Sequence, residues 1–288
     1  MGVADTFGFD AIGTRWRVDS ASPLAPEQRS GLLRLAEEYD AVYSRFREDS
    51  GITALARTGG RLGLPHHGAP LGRLLRSLYD LTGGGVSPLV GERLAAQGYD
   101  AAYSFVPTEA PAPARAWEDV LEWTDDGVTL LEPALLDVGA AGKGQLVDLM
   151  LGALVAAGHE DVVVDASGDM RRAGAGTITV GLEHPYDPSS AIGTVELGAG
   201  ALCASAANRR VWGDGLHHVL DARTGRTVDS VVATWVLAED AMTADGLCTA
   251  LFVADPADLA GTFDFDFVLM YSDGRARYSD PLAGALFS

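Results

Sequence analysis

Apolar and polar positions recur along this chain with two different periods, and the change of period marks out the elements. Residues 12–19 alternate one by one, which predicts a strand. Pro26 then opens a stretch in which Leu32, Leu33, Leu35, Ala36, Tyr39, Val42 and Tyr43 recur at helical spacing, so a helix is predicted to about residue 43. A polar loop over 44–50 leads to a short helix around 52–56. A second amphipathic helix is predicted over 71–81, stopped by Gly83-Gly84-Gly85, and 90–96 also reads as helical. Residues 107–113, with their Pro-Ala repeats, read as a linker or surface loop. Two strands, 120–123 and 128–131, flank Asp125-Asp126-Gly127, a hairpin signal. A helix over 144–157 and a short buried strand over 162–165 follow. Strand-like runs recur at 177–182, 193–197, 217–220, 231–237 and 267–271, with a helix over 241–253 between the last two. Helices mixed with hairpin-linked strands predict an α+β fold, taken as a single domain over 1–288.

Composition bounds the partners. The chain has 288 residues, 47% of them hydrophobic, enough for a large core. The formal net charge is -19, which argues against nucleic acid and anionic membranes as general partners. It leaves room for a phosphorylated small molecule, because exposed charges are screened beyond roughly 8 Å at physiological salt. Cys203 and Cys248 form no CxxC pair, and the adjacent pairs His66-His67 and His217-His218 do not share a face. The N-terminus has no basic region and no long apolar run, so a cytoplasmic location without a membrane span is expected.

Twenty of the 21 basic residues are arginine, and the one lysine, Lys143, lies in Asp137-Val138-Gly139-Ala140-Ala141-Gly142-Lys143-Gly144. Lysine is a compact point charge and arginine a bulky fork, so a tight glycine turn has room for the first. Two readings stay open on this loop alone: a helix N-terminal turn, or backbone amides and an ammonium facing phosphate. It is not a Walker loop, because Asp137 and Gly144 stand where glycine and Ser/Thr are required. Asp245 and Thr249 are four apart, so on a helix they share a face, and their hard oxygens suit Mg²⁺. His218 and Asp221 fall where a strand runs into Ala222-Arg223-Thr224-Gly225, either a plain turn or a site.

The order of these segments resembles that of the ApbE-type flavin transferases. The blocks are Ile12-Gly13-Thr14; Tyr43-Ser44-Arg45-Phe46 with Ser50; Asp137 to Gly144; Ser167-Gly168-Asp169; Ala204-Ser205-Ala206; His218 to Gly225; and Ala244 to Ala250. They are colinear over about residues 12–253. Departures from the family pattern are Ile12 for Met, Ala56 for Asn, Ser87 for Asp, Ser167 for Gly, Ala204 for Thr, Ala206 for Gly and Ala222 for Pro.

The resemblance implies a T-fold-like architecture of mixed or antiparallel sheets flanked by helices, with FAD in a cleft between two related halves. It implies FAD as substrate and Mg²⁺ held by Asp245, Thr249 and the Gly142 carbonyl. FMN would pass to a Ser/Thr hydroxyl of an acceptor flavoprotein carrying a Ser/Thr-Gly-Ala-Ser/Thr motif, and AMP would leave. An FAD pyrophosphatase or a non-catalytic FAD binder is the alternative. His218, Asp221 and Lys143 are the expected catalytic groups. Gly13, Thr14, Tyr43, Ser44, Phe46, Asp137, Lys143, Asp169, Ser205 and His218 are the expected flavin-nucleotide contacts. This chain itself holds no acceptor motif of that type, so self-flavinylation is not expected.

Overall fold

The computed structural model describes residues 2–108, 115–209, 211–213 and 215–287. Most of the expected 107–113 linker lies outside the described residues.

Eight strands build the main sheet: β1 (Asp5–Ala11), β2 (Thr14–Ser20), β3 (Val162–Asp165), β4 (Met170–Ala173), β5 (Gly200–Ala206), β6 (Val231–Ala238), β7 (Asp266–Tyr271) and β8 (Ala276–Tyr278). They lie side by side in chain order, every neighbour antiparallel. Apart from the two ends of the chain, everything else is inserted between neighbours. The longest insertion separates Ser20 of β2 from its partner Val162 of β3.

Side chains alternate across a strand, so this sheet buries two faces. Ala201, Cys203, Phe267 and Leu269 face a helical layer. That layer is α1 (Pro26–Tyr43), α2 (Gly68–Leu81), α3 (Gly142–Ala156) and α4 (Ala241–Ala250). Helix α4 lies on β5 and β6, α3 on β3 and β4, α2 on α4, and α1 on α3. Leu202, Trp235, Val268 and Met270 face the other way, onto Leu182, Val195 and Leu197 of the hairpin Ile178–His184 and Asp187–Leu197. A small sheet of Gly60–Gly63, Leu121–Thr124 and Gly127–Leu130 closes the helical side. Antiparallel sheets flanked by helices are the expected architecture.

Several boundaries differ, each for a physical reason. The strand expected over 12–19 starts at Thr14, because Ile12 and Gly13 form the two-residue turn of a hairpin with φ of 43° and 74°. Both central residues of such a turn need positive φ, a demand that favours Asn-Gly over Ile-Gly. Strand β5 was not expected, because a run of Gly, Ala, Cys and Ser carries little strand propensity. The strand expected over 217–220 is two short pieces, Leu216–His217 and Leu220–Asp221, each paired to a different partner. Helix α4 ends at Ala250 rather than 253.

Candidate active site

Lys143 stands in the first turn of α3, and its Nζ lies 2.7 Å from Asp169 Oδ2. Asp169 is 1% exposed and directly precedes β4. The tight link from β3 puts it there. Ser167 and Gly168 both take positive φ (58° and 111°), and the Gly168 N–H donates to Asp165 Oδ1 at 2.9 Å. Lys143 also reaches the Ala166 carbonyl at 3.4 Å.

A second carboxylate, Asp245 on α4, is 4% exposed, and its Oδ2 accepts the Gly144 N–H at 2.9 Å. Burial pushes its carboxyl well above the ordinary carboxylate range and Asp169 adds to this, while Lys143 and the Gly144 amide oppose it. Burial pulls the Lys143 ammonium down, but Asp169 and Asp245 outweigh that and hold it protonated. Gly144 itself is dictated by packing. A Cβ there would lie 2.1 Å from the Ala241 carbonyl oxygen and 2.8 Å from the Asp245 Cβ, so no serine or threonine fits.

Thr249 follows one turn after Asp245, and its hydroxyl donates to the Ala140 carbonyl at 3.3 Å. Gly142 begins α3, where a carbonyl is committed to the intrahelical ladder, and the loop carbonyl that meets Thr249 is that of Ala140. Among the described residues no three His, Cys, Asp or Glu side chains cluster as a metal site.

Two surfaces flank this centre. One is a cleft of about 350 Å³ whose lining includes Ser167, Gly168, Ala204, Ser205, Asn208 and Glu183. Asp169 ties its floor to β5 by accepting the Ala204 N–H at 3.4 Å. The other is aromatic. Phe46 stacks on Tyr103 with centroids 5.0 Å apart, Tyr99 stacks on Trp212 at 5.7 Å, and the His218 ring lies 6.4 Å from Tyr99. The β1–β2 turn touches both surfaces. The Arg15 carbonyl accepts the Ser167 hydroxyl at 2.8 Å, and a Cβ on Gly13 would be 3.6 Å from the Tyr103 hydroxyl. Thr14 sits at the same turn, half-buried.

Other expected contacts also have structural partners. Tyr43 is buried between α1 and α2, with its hydroxyl 3.3 Å from His67 Nδ1. Ser44 ends α1, and its carbonyl accepts the Ser50 hydroxyl at 2.5 Å. Asp137 braces the lysine loop, bonded to Arg45 Nε through one oxygen and to the Gly139 N–H at 2.6 Å through the other. Asp221, the expected alternative base, is a turn anchor. Burial raises its carboxyl, but Arg223 grips both oxygens and the net shift is downward, which leaves a poor proton acceptor.

The sequence reading missed Arg45, Tyr99, Tyr103, Phe105 and Trp212 as site candidates. Arg45 is 5% exposed, donates to the Tyr99 carbonyl at 2.7 Å, and lies 4.1 Å over the Phe46 ring. The available signal was Tyr99-Asp100-Ala101-Ala102-Tyr103-Ser104-Phe105, a run of aromatics with no helical or strand period.

The ApbE family model matches residues 12–264 of this chain. The chain belongs to the ApbE family. Among curated ApbE relatives, a FAD:protein FMN transferase of Vibrio cholerae is 31% identical over 227 residues, covering 74% of this chain and 66% of its own length. A FAD:protein FMN transferase of Rhodobacter capsulatus is 31% identical over 156 residues, covering 51% of this chain and 30% of its own. The chain thus spans no more than two thirds of the length of these curated relatives. The solved structure of the ApbE protein from Thermotoga maritima superposes with a TM-score of 0.85 at 21% identity, covering 99% of both chains. At that identity the likeness is one of fold.

Proposed function

We propose that this ApbE-family chain is an FAD:protein FMN transferase that uses Mg²⁺. The observation that carries the reading is the charge inventory around α3. Two buried carboxylates, Asp169 and Asp245, stand against one ammonium, Lys143, beside the Ala140 carbonyl and the Thr249 hydroxyl. Burial pushes the Asp245 carboxyl toward its neutral form, and a divalent cation beside these hard oxygens would favour the carboxylate that could ligate it. Asp245, Thr249 and the Ala140 carbonyl would hold it. When bound, Mg²⁺ supplies neutralisation of charge on the FAD pyrophosphate.

The remaining work falls to the chain's own groups. Lys143, kept charged by its two carboxylates, meets charge that develops on the pyrophosphate. The exposed rings of Tyr103 and Phe105, backed by Phe46 and Trp212, offer aromatic surface for a flavin, and the Ser167–Ser205 cleft offers a polar slot for the adenosine half. An acceptor Ser/Thr hydroxyl forms the new O–P bond on the FMN side, the bond to AMP breaks, and His218 takes the hydroxyl proton.

The test is to incubate the purified protein with FAD and Mg²⁺ and follow AMP, with and without a domain carrying a Ser/Thr-Gly-Ala-Ser/Thr motif. AMP release coupled to an FMN-sized mass gain on that domain supports the transferase. AMP with only free FMN replaces it by a pyrophosphatase, and a stable FAD complex without AMP replaces it by a binder. Asp245→Ala is expected to lose Mg²⁺-dependent turnover while remaining folded. Full turnover in that variant would remove Asp245 from the metal set.

A further inference from the structure

Among the described residues, four that are not glycine take positive φ: Ile12 (43°), Tyr103 (51°), Phe105 (51°) and Ser167 (58°). All four lie on the segments that flank the candidate site: the β1–β2 turn, the aromatic loop and the β3–β4 link. A residue with a side chain held in this region costs free energy, and the surrounding structure must impose it. Ser167 shows what is imposed. The β2–β3 ladder runs from the Ser20–Val162 pair to the Arg17–Asp165 pair. Two residues further, the same register would set Arg15 opposite Ser167. Ser167 has by then turned into the left-handed region that starts the link to β4, so it leaves the ladder. Its hydroxyl makes the connection instead, donating to the Arg15 carbonyl at 2.8 Å. A glycine, the family residue at this position, takes the same φ without strain and has no hydroxyl to make that bond. The bond joins two functional stretches. Ser167 lines the cleft and runs through Gly168 to Asp169, the partner of Lys143. Arg15 follows Thr14 in the turn where a Cβ on Gly13 would lie 3.6 Å from the Tyr103 hydroxyl.

We propose that Ser167 is a positioning residue for nucleotide binding, a role that rests on the FAD reading above. Its hydroxyl latches the β1–β2 turn to the 167–169 link, so that Thr14 and the neighbouring aromatic loop stand at a fixed place relative to Lys143 before FAD arrives. Without the latch the binding-ready arrangement is populated for a smaller fraction of the time, and apparent affinity falls by that fraction.

The experiment titrates the full chain with FAD in the absence of added metal, read by flavin fluorescence, and measures amide hydrogen exchange in the free protein. It compares wild type with Ser167→Ala and Ser167→Gly. Alanine keeps the strained φ and loses the hydroxyl, whereas glycine relieves the strain and loses the same hydroxyl. The two variants should therefore differ in urea stability, glycine being the more stable, and agree in binding. Both should bind FAD about fivefold or more weakly, with faster exchange in the β1–β2 turn. Wild-type affinity in both variants overturns the proposal. So does weakening in Ser167→Ala alone, since that effect follows the strain. Weakening without faster exchange also overturns it, since Ser167 would then act by touching the nucleotide itself. A wild-type chain that binds no FAD overturns the functional reading, and this role with it.

Discussion

Asp148 and Asp245 cap each other's helices. Asp148, on α3, accepts the Ala241 and Met242 N–H groups at 2.9 Å each, at the start of α4. Asp245, on α4, accepts the Gly144 N–H at the start of α3. Each carboxylate satisfies donors that a helix end leaves open and faces the positive end of a dipole. Neither helix start can move without disturbing the other, so the candidate metal side chain is fixed by a bond made for packing.

Gly144→Ala tests that closeness. The added methyl meets the Ala241 carbonyl, which belongs to the backbone and cannot swing away. A loss of about 2–3 kcal/mol is expected in urea unfolding, as for an overpacked core. Metal-dependent turnover should fall with it, because Asp245 moves. Native stability in the variant would mean that the helices slide apart freely.

Lys143 should resist replacement by arginine as well as by alanine. Alanine leaves Asp169, 1% exposed, without its ammonium, a loss on the order of 2–4 kcal/mol. Arginine keeps the charge but must fit a planar fork where an ammonium now sits between Asp169 and the Ala166 carbonyl. Turnover at saturating FAD should therefore be low in both variants. Wild-type turnover in Lys143→Arg would show that any cation suffices.

Acidity offers a separate handle through Asp148. Burial pushes its carboxyl up to about 6, although Arg171 and the two α4 amides pull against this. A folded value above that of the unfolded chain means that the neutral form favours the fold. The contribution is full below about pH 4 and is lost as pH rises through about 6. Measured against Asp148→Asn, wild-type stability should gain up to about 3 kcal/mol as pH falls from about 8 to about 4. A difference that does not change with pH would refute the assignment.

Ile12→Asn should stabilise the chain. Ile12 is a β-branched residue at φ 43°, in a turn whose partner Gly13 is already suited to positive φ. Asn-Gly meets the same demand with less strain, offset in part by lost apolar contact at a half-buried position. A net gain of roughly 0.5–1 kcal/mol, seen as a rise of about 2 °C in Tm, is the expected outcome.

The helices were legible because their apolar spacing is decided locally, and α1, α2 and α3 begin or end within a few residues of expectation. Lys143, Asp245 and Thr249 could be singled out by residue type and spacing, and the fold brings them around the start of α3. Other parts depended on tertiary information. Strand β5 exists because β4 and β6 pair with it on either side, which its small residues do not announce. Tyr43 reads as part of a site motif, yet the helical register turns it into the core. Ala140 rather than Gly142 meets Thr249 because α3 begins two residues earlier than the apolar pattern suggests. The grip of Arg223 on Asp221 could not be seen from spacing, since it competes with any proton-transfer role only once the turn has closed.

The chain-order sheet also constrains how this protein reaches its folded state. Strands β3 to β8 can pair over modest separations, but β2 must find β3 across the whole 21–161 insertion. Closing so long a loop costs entropy before any contact offsets it, and such pairings are slow. The N-terminal hairpin is therefore expected to dock on a sheet edge that already exists. That hairpin carries Gly13 and Thr14 and receives the Ser167 hydroxyl, so an intermediate with every other strand in place would still have an open, unfinished cleft. Competence to hold a nucleotide across both surfaces would then arrive with the last strand pairing, and would report complete folding rather than collapse.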